Sequence, residues 1–327
     1  MRNERPPADS GAPERDRESA PAEELERLVR AAGGAFSAST ERALRSDLAI
    51  FAAWCAERGE RALPAEPETV AAFVDDRAET RAPATVRRYV TSIAIAHRAL
   101  GLEGTAQGPA VRLALGRMHR SKGRRQGQAT GLTWPLRQRL LAAAGERLID
   151  DRNRALLAVA YDAMLRRTEL VSLQVSDLLE ELQGDGSLLV RRSKTDAEGR
   201  GEIVWVGADT VRLVRAWLAR AGVAEGMLFR SVGKGGRPGA RLDPSQVPRI
   251  FKAMAREAGL PEAVAGSLSG HSARVGAAQD MVAAGIGMPA ILQAGRWKSV
   301  AMVNRYGERL LAQRSGAAQL ARTQDRG

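Results

Sequence analysis

The sequence predicts a multidomain, mainly α chain: an all-helical domain followed by a mixed α/β domain with a small β-sheet. Three observations predict it. After a polar start, apolar residues recur at helical spacing as far as Met118. The stretch His119–Gly131 then has no acid and no large apolar side chain, as a linker would. Two short β-type runs, Leu188–Val190 and Ile203–Val206, stand only in the second half. A chain of 327 residues is long enough for both domains.

Residues 1–20 are rich in Pro, Glu, Asp and Arg and short of aromatics, which predicts a disordered tail. They contain no apolar stretch of the kind a secretory signal needs. The helical domain is expected over 21–118. Ser39-Thr40-Glu41 is the expected cap of a helix that carries Leu44, Leu48, Phe51 and Ala52 on one face. The Leu63–Pro67 segment breaks the chain, and Val70, Phe73 and Val74 begin a second helix. Pro83 opens a third, with Val86, Tyr89, Val90, Ile93 and His97 at helical spacing, and a short fourth runs from Pro109 to Met118. After the 119–131 linker, the second domain is expected over 132–327. It holds an apolar helix, Ala155–Leu165, a hairpin whose polar turn is Ser193–Gly201, and helices near 209–221, 244–258, 271–285, 288–294 and 308–321. No internal repeat and no dinucleotide-binding glycine pattern is present.

Composition narrows the function classes. Fifty basic residues against 38 acidic give a formal charge of +12, which points to a polyanionic partner, nucleic acid first and an anionic membrane surface second. No apolar run approaches the ~20 residues of a spanning helix, so no membrane partner is expected, and a cytoplasmic, nucleoid-associated location is. One cysteine excludes an internal disulfide framework and a Cys-based zinc cluster. The absence of a ligand cluster and of a phosphate-binding glycine loop predicts chemistry with neither metal nor nucleotide cofactor. Only five of the basic residues are lysines, so a single arginine says little here and a lysine says more. Within the linker, Arg120 and Lys122 are the expected phosphate contacts.

The chain has three histidines and three tyrosines, which limits the chemistry. His97 lies among apolar helical positions, as a packing residue would, and His119 falls in the linker. His271 opens Gly270-His271-Ser272-Ala273-Arg274 after a Gly-Ser turn. A helix starting there puts His271 and Arg274 one turn apart at its positive end, where an anion binds well. Arg166 and Glu169 form a second i,i+3 pair, which alone would be an ordinary surface ion pair. Lys194 sits near the hairpin tip and Trp297 follows Gly295-Arg296; alone, each has a bland reading, as solvated decoration or as core. The ordered set Arg166, Lys194, His271, Arg274, Trp297 and Tyr306 carries more weight than its members. Two arginines bind the non-bridging oxygens of a phosphodiester and stabilise a pentacoordinate phosphorus. A lysine protonates a leaving oxygen and a histidine handles the nucleophile's proton. A tyrosine forms a covalent phosphoester that stores the bond for rejoining. Neither Tyr89 nor Tyr161 has that setting, which leaves Tyr306.

Those residues stand in segments that resemble the tyrosine recombinase (phage integrase) family. Ser269 to Ala278 and Ile291 to Trp297, followed by the tyrosine, carry the resemblance, and Ala52-Ala53-Trp54-Cys55 with Pro64 to Glu68 extend it to the helical half. It covers roughly residues 37–321. The resemblance implies that Arg166 and Arg274 bind the scissile phosphate, Glu169 supports them, Lys194 is the general acid, and His271 and Trp297 complete the pocket in which Tyr306 attacks. Trp297 departs from the histidine commoner in that family. The product implied is a 3′-phosphotyrosine with a free 5′-hydroxyl, and exchange passes through a Holliday junction. The partners implied are double-stranded DNA target sites, with a homotetramer on DNA. It further implies groove-facing helices bearing Arg42 and Arg45, and Arg87 and Arg88, and a recognition helix offering Ser245, Gln246 and Arg249. Two alternatives stay open: a relaxer of the type IB topoisomerase kind, with the same tyrosine chemistry on one duplex, and an inactive sequence-specific DNA-binding protein. The intact set of reactive residues argues against the second. The segment after Tyr306, with Leu310, Leu311, Ala317 and Leu320 on a short helix able to dock on a neighbouring protomer, argues for exchange between sites.

Overall fold

The computed structural model describes residues 36–99, 101, 106, 108–125, 127–193 and 200–326. The chain forms two compact units, one ending at Gly127 and the other beginning at Gln128. The tail expected over 1–20 lies outside the described residues.

The first unit is helical: α1 Ala38–Ala56, α2 Pro67–Thr80, α3 Pro83–Ala99 and α4 Pro109–Lys122. Three of the four start on proline, whose missing N–H is one of the donors a helix start leaves unpaired anyway. The cap of α1 is Ser37, whose side chain accepts the Thr40 N–H at 3.3 Å, so Ser39 to Glu41 lie inside the first turn instead of capping it. Phe73 is the hub of the core: its ring meets Phe51 edge-on at 4.9 Å between centroids and Trp54 at 5.3 Å. His97 is buried, with Nε2 accepting the Ala65 N–H at 2.9 Å and Nδ1 2.8 Å from the Ile93 carbonyl. It therefore pins the 63–67 break onto α3, as a packing residue. Helix α4 continues past Met118, so His119 to Lys122, expected in the linker, are helical. Lys122 gives the physical reason: its Nζ donates to the carbonyls of Glu79 at 2.9 Å and Arg81 at 3.3 Å, a cation on the C-terminal end of α2.

Among the described residues, the second unit has ten α-helices and strands before its last three helices. In order these are α5 Trp134–Ala143, α6 Leu148–Asp162, α7 Arg167–Ser172, β1 Leu178–Glu180, β2 Gly186–Val190, β3 Glu202–Val206, α8 Ala208–Ala221, α9 Gln246–Glu257, α10 Glu262–Ala265, and α11 Ser272–Ala283. Then come α12 Met288–Gly295, α13 Ala301–Ala312 and α14 Gly316–Thr323. The strands form one antiparallel sheet, order β1-β2-β3, with Leu188 opposite Val204. The expected hairpin is present; residues 194–199 of its turn, Lys194 among them, lie outside the described residues. Helices α5 and α10 and strand β1 have no counterpart among the elements expected from the sequence, although Thr133-Trp134-Pro135 is a cap-and-proline helix start.

Trp217, Phe229, Phe251, Leu156 and Leu157 are fully buried in one core that α6 crosses. Helix α6 starts at Leu148, before the expected Ala155, because the Asp150 carboxylate closes its first turn by accepting the Arg147 N–H at 3.0 Å. It ends at Asp162, short of Leu165, where Met164 takes a left-handed turn at φ 48°. The single helix expected over 308–321 is two: Tyr306 sits inside α13, and α14 restarts on Ser315, which caps it through the Ala318 N–H. Leu310 and Leu311 pack against the cluster of Val282, Ile291 and Val303 in the same chain, whereas α14 buries no residue. Among the described residues, no helix is long and apolar enough to cross a membrane.

Candidate active site

Four local devices bring the site together. First, Arg166 and Glu169 are not an exposed helical pair; they form the capping box of α7. The Glu169 carboxylate, 3 % exposed, accepts the Arg166 N–H at 2.9 Å and the Arg166 Nη1 at 2.6 Å. Burial alone would raise the Glu169 carboxyl. The Arg166 amide, the Arg296 charge and the bonds from both guanidinium groups outweigh it, leaving the pKa below its ordinary value.

Second, His271 is the N-cap residue of α11 and Arg274 lies one turn on, as the Gly270–Arg274 segment predicts. Arg274 is 3 % exposed. Its Nη1 donates to the Met164 carbonyl at 2.8 Å and its Nη2 to the Gly295 carbonyl. Burial, with the Arg166 and Arg296 charges, pulls its pKa down to about 10, so it stays protonated at neutral pH. Partial desolvation and the charges of Arg274, Arg167 and Arg166 lower the His271 pKa below its ordinary value, which favours the neutral form.

Third, α12 ends in a left-handed turn at Arg296, φ 51°, and the Trp297 N–H bonds back to the Leu292 carbonyl at 2.9 Å. The turn folds the Trp297 ring over Gly295, where any Cβ would overlap the indole. Trp297 lies between the other groups: the Arg274 Cζ is 4.8 Å from its ring, and the Tyr306 ring meets it edge-on at 5.6 Å.

Fourth, α13 carries Tyr306 against Met164, Ala277 and Ala278. The Tyr306 carbonyl accepts from Gln279 Nε2 at 3.1 Å and Gln128 Nε2 at 3.2 Å, which fixes the helix at the position of the tyrosine. Gly276 on α11 supports the same layer: a Cβ there would overlap the Leu132 carbonyl, whose chain leads into α5.

Arg166, Glu169, His271, Arg274, Trp297 and Tyr306 thus converge, and Lys194 lies outside the described residues. The other tyrosines are committed elsewhere. Tyr89 is buried beside Phe73, and Tyr161 donates to Asp280 at 2.6 Å, with its pKa raised by burial and by that carboxylate. Two residues that the sequence reading did not single out join the site. Gln279 is the first. Arg296 is the second, with a side chain 5 % exposed that bonds Glu169 and reaches Glu202 at 3.4 Å. Arginine in a left-handed turn leaves no local sequence signal, which is why it escapes notice.

The DNA-facing candidates divide. Arg42 and Arg87 on α1 and α3 and Arg120 on α4 are exposed, and Arg45 is half-buried. Arg88 is tied by a two-pronged pair to buried Asp47, at 3.0 and 2.8 Å. In the second unit Ser245 and Arg249 are exposed and Gln246 is half-buried at the start of α9.

Buried Arg274, half-buried Arg166, a histidine at a helix start and a tyrosine against a tryptophan are the groups a DNA strand-exchanging enzyme of the tyrosine class would gather. The chain belongs to the phage integrase family, which matches residues 137–311, and is a tyrosine-type site-specific DNA recombinase. It is similar to recombinase Cre of Escherichia phage P1, 32 % identical over 289 residues, 83 % of this chain and 84 % of Cre. Its fold is shared with the XerH site-specific recombinase bound to palindromic difH substrate in a post-cleavage complex, with a TM-score of 0.67 at 15 % identity, covering 91 % of this chain and 84 % of that one. A lambda integrase tetramer bound to a Holliday junction has a TM-score of 0.60 at 16 % identity, covering 87 % of this chain and 76 % of that one.

Proposed function

We propose that the protein exchanges strands between two double-stranded DNA sites at the nucleoid, through a covalent 3′-phosphotyrosine on Tyr306 and a Holliday junction. It needs neither metal nor nucleotide cofactor and works as a homotetramer on DNA. The observation that carries the reading is the convergence of Arg166, Arg274 and His271 with Tyr306 across the Trp297 ring.

The Tyr306 oxygen attacks the scissile phosphorus and its proton passes to His271, whose lowered pKa favours the neutral form that accepts it. The bond from phosphorus to the 5′-oxygen breaks, and Lys194 gives the leaving oxygen a proton. Arg166 and Arg274 hold the charge that builds on the non-bridging oxygens, and Glu169 keeps Arg166 in place. The freed 5′-hydroxyl then attacks the phosphotyrosine of the partner duplex, reversing each transfer.

Arg42, Arg45, Arg87 and Arg88, with Arg120 and Lys122, are the proposed contacts of the first unit to DNA. Ser245, Gln246 and Arg249 are the proposed base readers of the second. For assembly, α14 is the proposed exchanged element, because its eight residues bury nothing in their own chain and Leu320 stays 53 % exposed. So short a helix is marginal in water without a partner surface. Its proposed acceptor is the cavity of about 500 Å³ on the next protomer, walled by Trp134, Tyr161, Ile203, Trp205 and Met281.

The test is cleavage of end-labelled target DNA in excess EDTA without ATP, resolved on a denaturing gel. Wild type yields a covalent protein–DNA band, and Tyr306→Phe binds the site yet yields none. A band from the Phe variant, or cleavage only on adding magnesium, overturns the proposal.

A further inference from the structure

Arg296 occupies a conformation that glycine adopts freely and arginine does not. Its φ of 51° lies in the left-handed region, where the Cβ of a non-glycine residue crowds the following carbonyl oxygen. A long charged side chain would ordinarily run out to solvent from a helix end, yet this one is 5 % exposed. Its Nη2 bonds the Glu169 Oε2, and its Nη1 lies 3.4 Å from the Glu202 carboxylate at the start of β3. Its Nε is buried and meets no acceptor among the described residues. Backbone strain, burial and an incompletely satisfied guanidinium converge on one residue at the centre of the site, and strain of this kind persists where the surroundings enforce it.

The division of Glu169 explains what is gained. One carboxylate oxygen serves the Arg166 Nη1; the other serves the Arg166 N–H and Arg296 together. Arg296 therefore sets the plane of the carboxylate, and the plane aims the Arg166 fork. The same residue makes the turn that lays Trp297 between Arg274 and Tyr306. Glycine at 296 would keep that turn and relieve the strain but would leave the carboxylate held from one side only.

We propose that Arg296 is a positioning residue for strand cleavage, acting through Glu169 to hold Arg166 in line with the scissile phosphate. This rests on the reading of Arg166 as a phosphate ligand. It predicts that Arg296 and Glu169 act as one unit, a coupling that neither general basicity nor a purely structural role would produce.

The experiment measures single-turnover cleavage, with half-site affinity and melting temperature, for wild type, Arg296→Gly, Arg296→Lys, Glu169→Gln and Arg296→Gly/Glu169→Gln. Arg296→Gly is expected to bind the half-site as wild type does and to cleave roughly ten- to hundredfold more slowly, the worth of a charge-assisted bond. Arg296→Lys, which keeps the charge and loses the fork, falls between. In the Glu169→Gln background, Arg296→Gly adds no further loss. Because Arg296 helps keep Glu169 ionised, the acid limb of the cleavage profile moves to higher pH in Arg296→Gly. Wild-type cleavage by Arg296→Gly, or losses that multiply in the double variant, overturns the inference. Should Arg296→Gly fail to fold, Arg296→Lys decides alone: a wild-type rate and pH profile overturn it. Failure of wild type to form any tyrosyl adduct would instead strike the function proposed above.

Discussion

The two units handle buried charge differently. In the helical unit the buried charge is Asp47, and it is fully answered by two bonds from Arg88 and one from Ser92 at 2.8 Å. The rest of that core is aromatic and aliphatic, with Phe51, Trp54, Phe73 and Tyr89 in mutual contact. In the second unit charges of both signs are buried, Asp150, Glu169 and Asp177 with Arg137, Arg152 and Arg274, and among the described residues not every cation is answered by a carboxylate. Among the described residues, Arg274 is held by two carbonyls and by no carboxylate, and the Arg296 Nε meets no acceptor. One unit is a scaffold stabilised by packing; the other sets stability against a concentration of positive charge that suits a phosphodiester.

Removing the hub of the first core should have the largest effect on stability. Phe73→Ala is expected to cost about 3–5 kcal/mol, read by chemical denaturation, with the cleavage rate per folded molecule unchanged. Arg274→Met reverses the pattern. Cleavage should fall about 10²–10³-fold, the usual effect of removing a group that stabilises transition-state charge. Its melting temperature should hold or rise, since an apolar replacement of a buried charge is often neutral or stabilising. A drop in melting temperature as large as that of Phe73→Ala would break the comparison and make Arg274 a structural cation.

The smallest effect is one of pH on the free protein. His271 has a folded pKa below its ordinary 6.5 because neighbouring atoms desolvate it and three arginines repel its proton. The unfolded chain therefore takes up that proton more readily, and stability is lost as pH falls through the ordinary value. Melting curves at pH 8 and pH 5.5 should show wild type losing more than His271→Gln. Equal losses would mean that the arginine field does not reach the histidine.

The same contrast governs what the sequence discloses. The helical unit is legible because its signals are local: Pro83 and Pro109 start helices, and Leu44, Leu48 and Phe51 share a face. Its errors are a cap two residues off, a second helix that starts at Pro67 inside the expected break, and a helix end extended by a long-range bond from Lys122. In the second unit the order of the reactive side chains is legible, and six of the seven lie in one described site. What is not legible depends on distant contacts. The burial of Glu169 under two arginines is one, and the left-handed Arg296 is another. A third is the Gly276 contact with Leu132, which couples residues far apart in the chain. The break at 313–315 was hidden because both halves carry helical periodicity, while only Leu310 and Leu311 find a core.

The most direct test of the central claim is to digest the trapped protein–DNA adduct with trypsin and nuclease and sequence the nucleotide-bearing peptide by mass spectrometry. Cleavage after Arg305 and Arg309 releases Tyr306-Gly307-Glu308-Arg309. The account predicts that this peptide carries the nucleotide, joined through its 3′-phosphate to the Tyr306 oxygen. A nucleotide on Tyr161, on Tyr89 or on a serine, or cut DNA with no peptide attached, would contradict it.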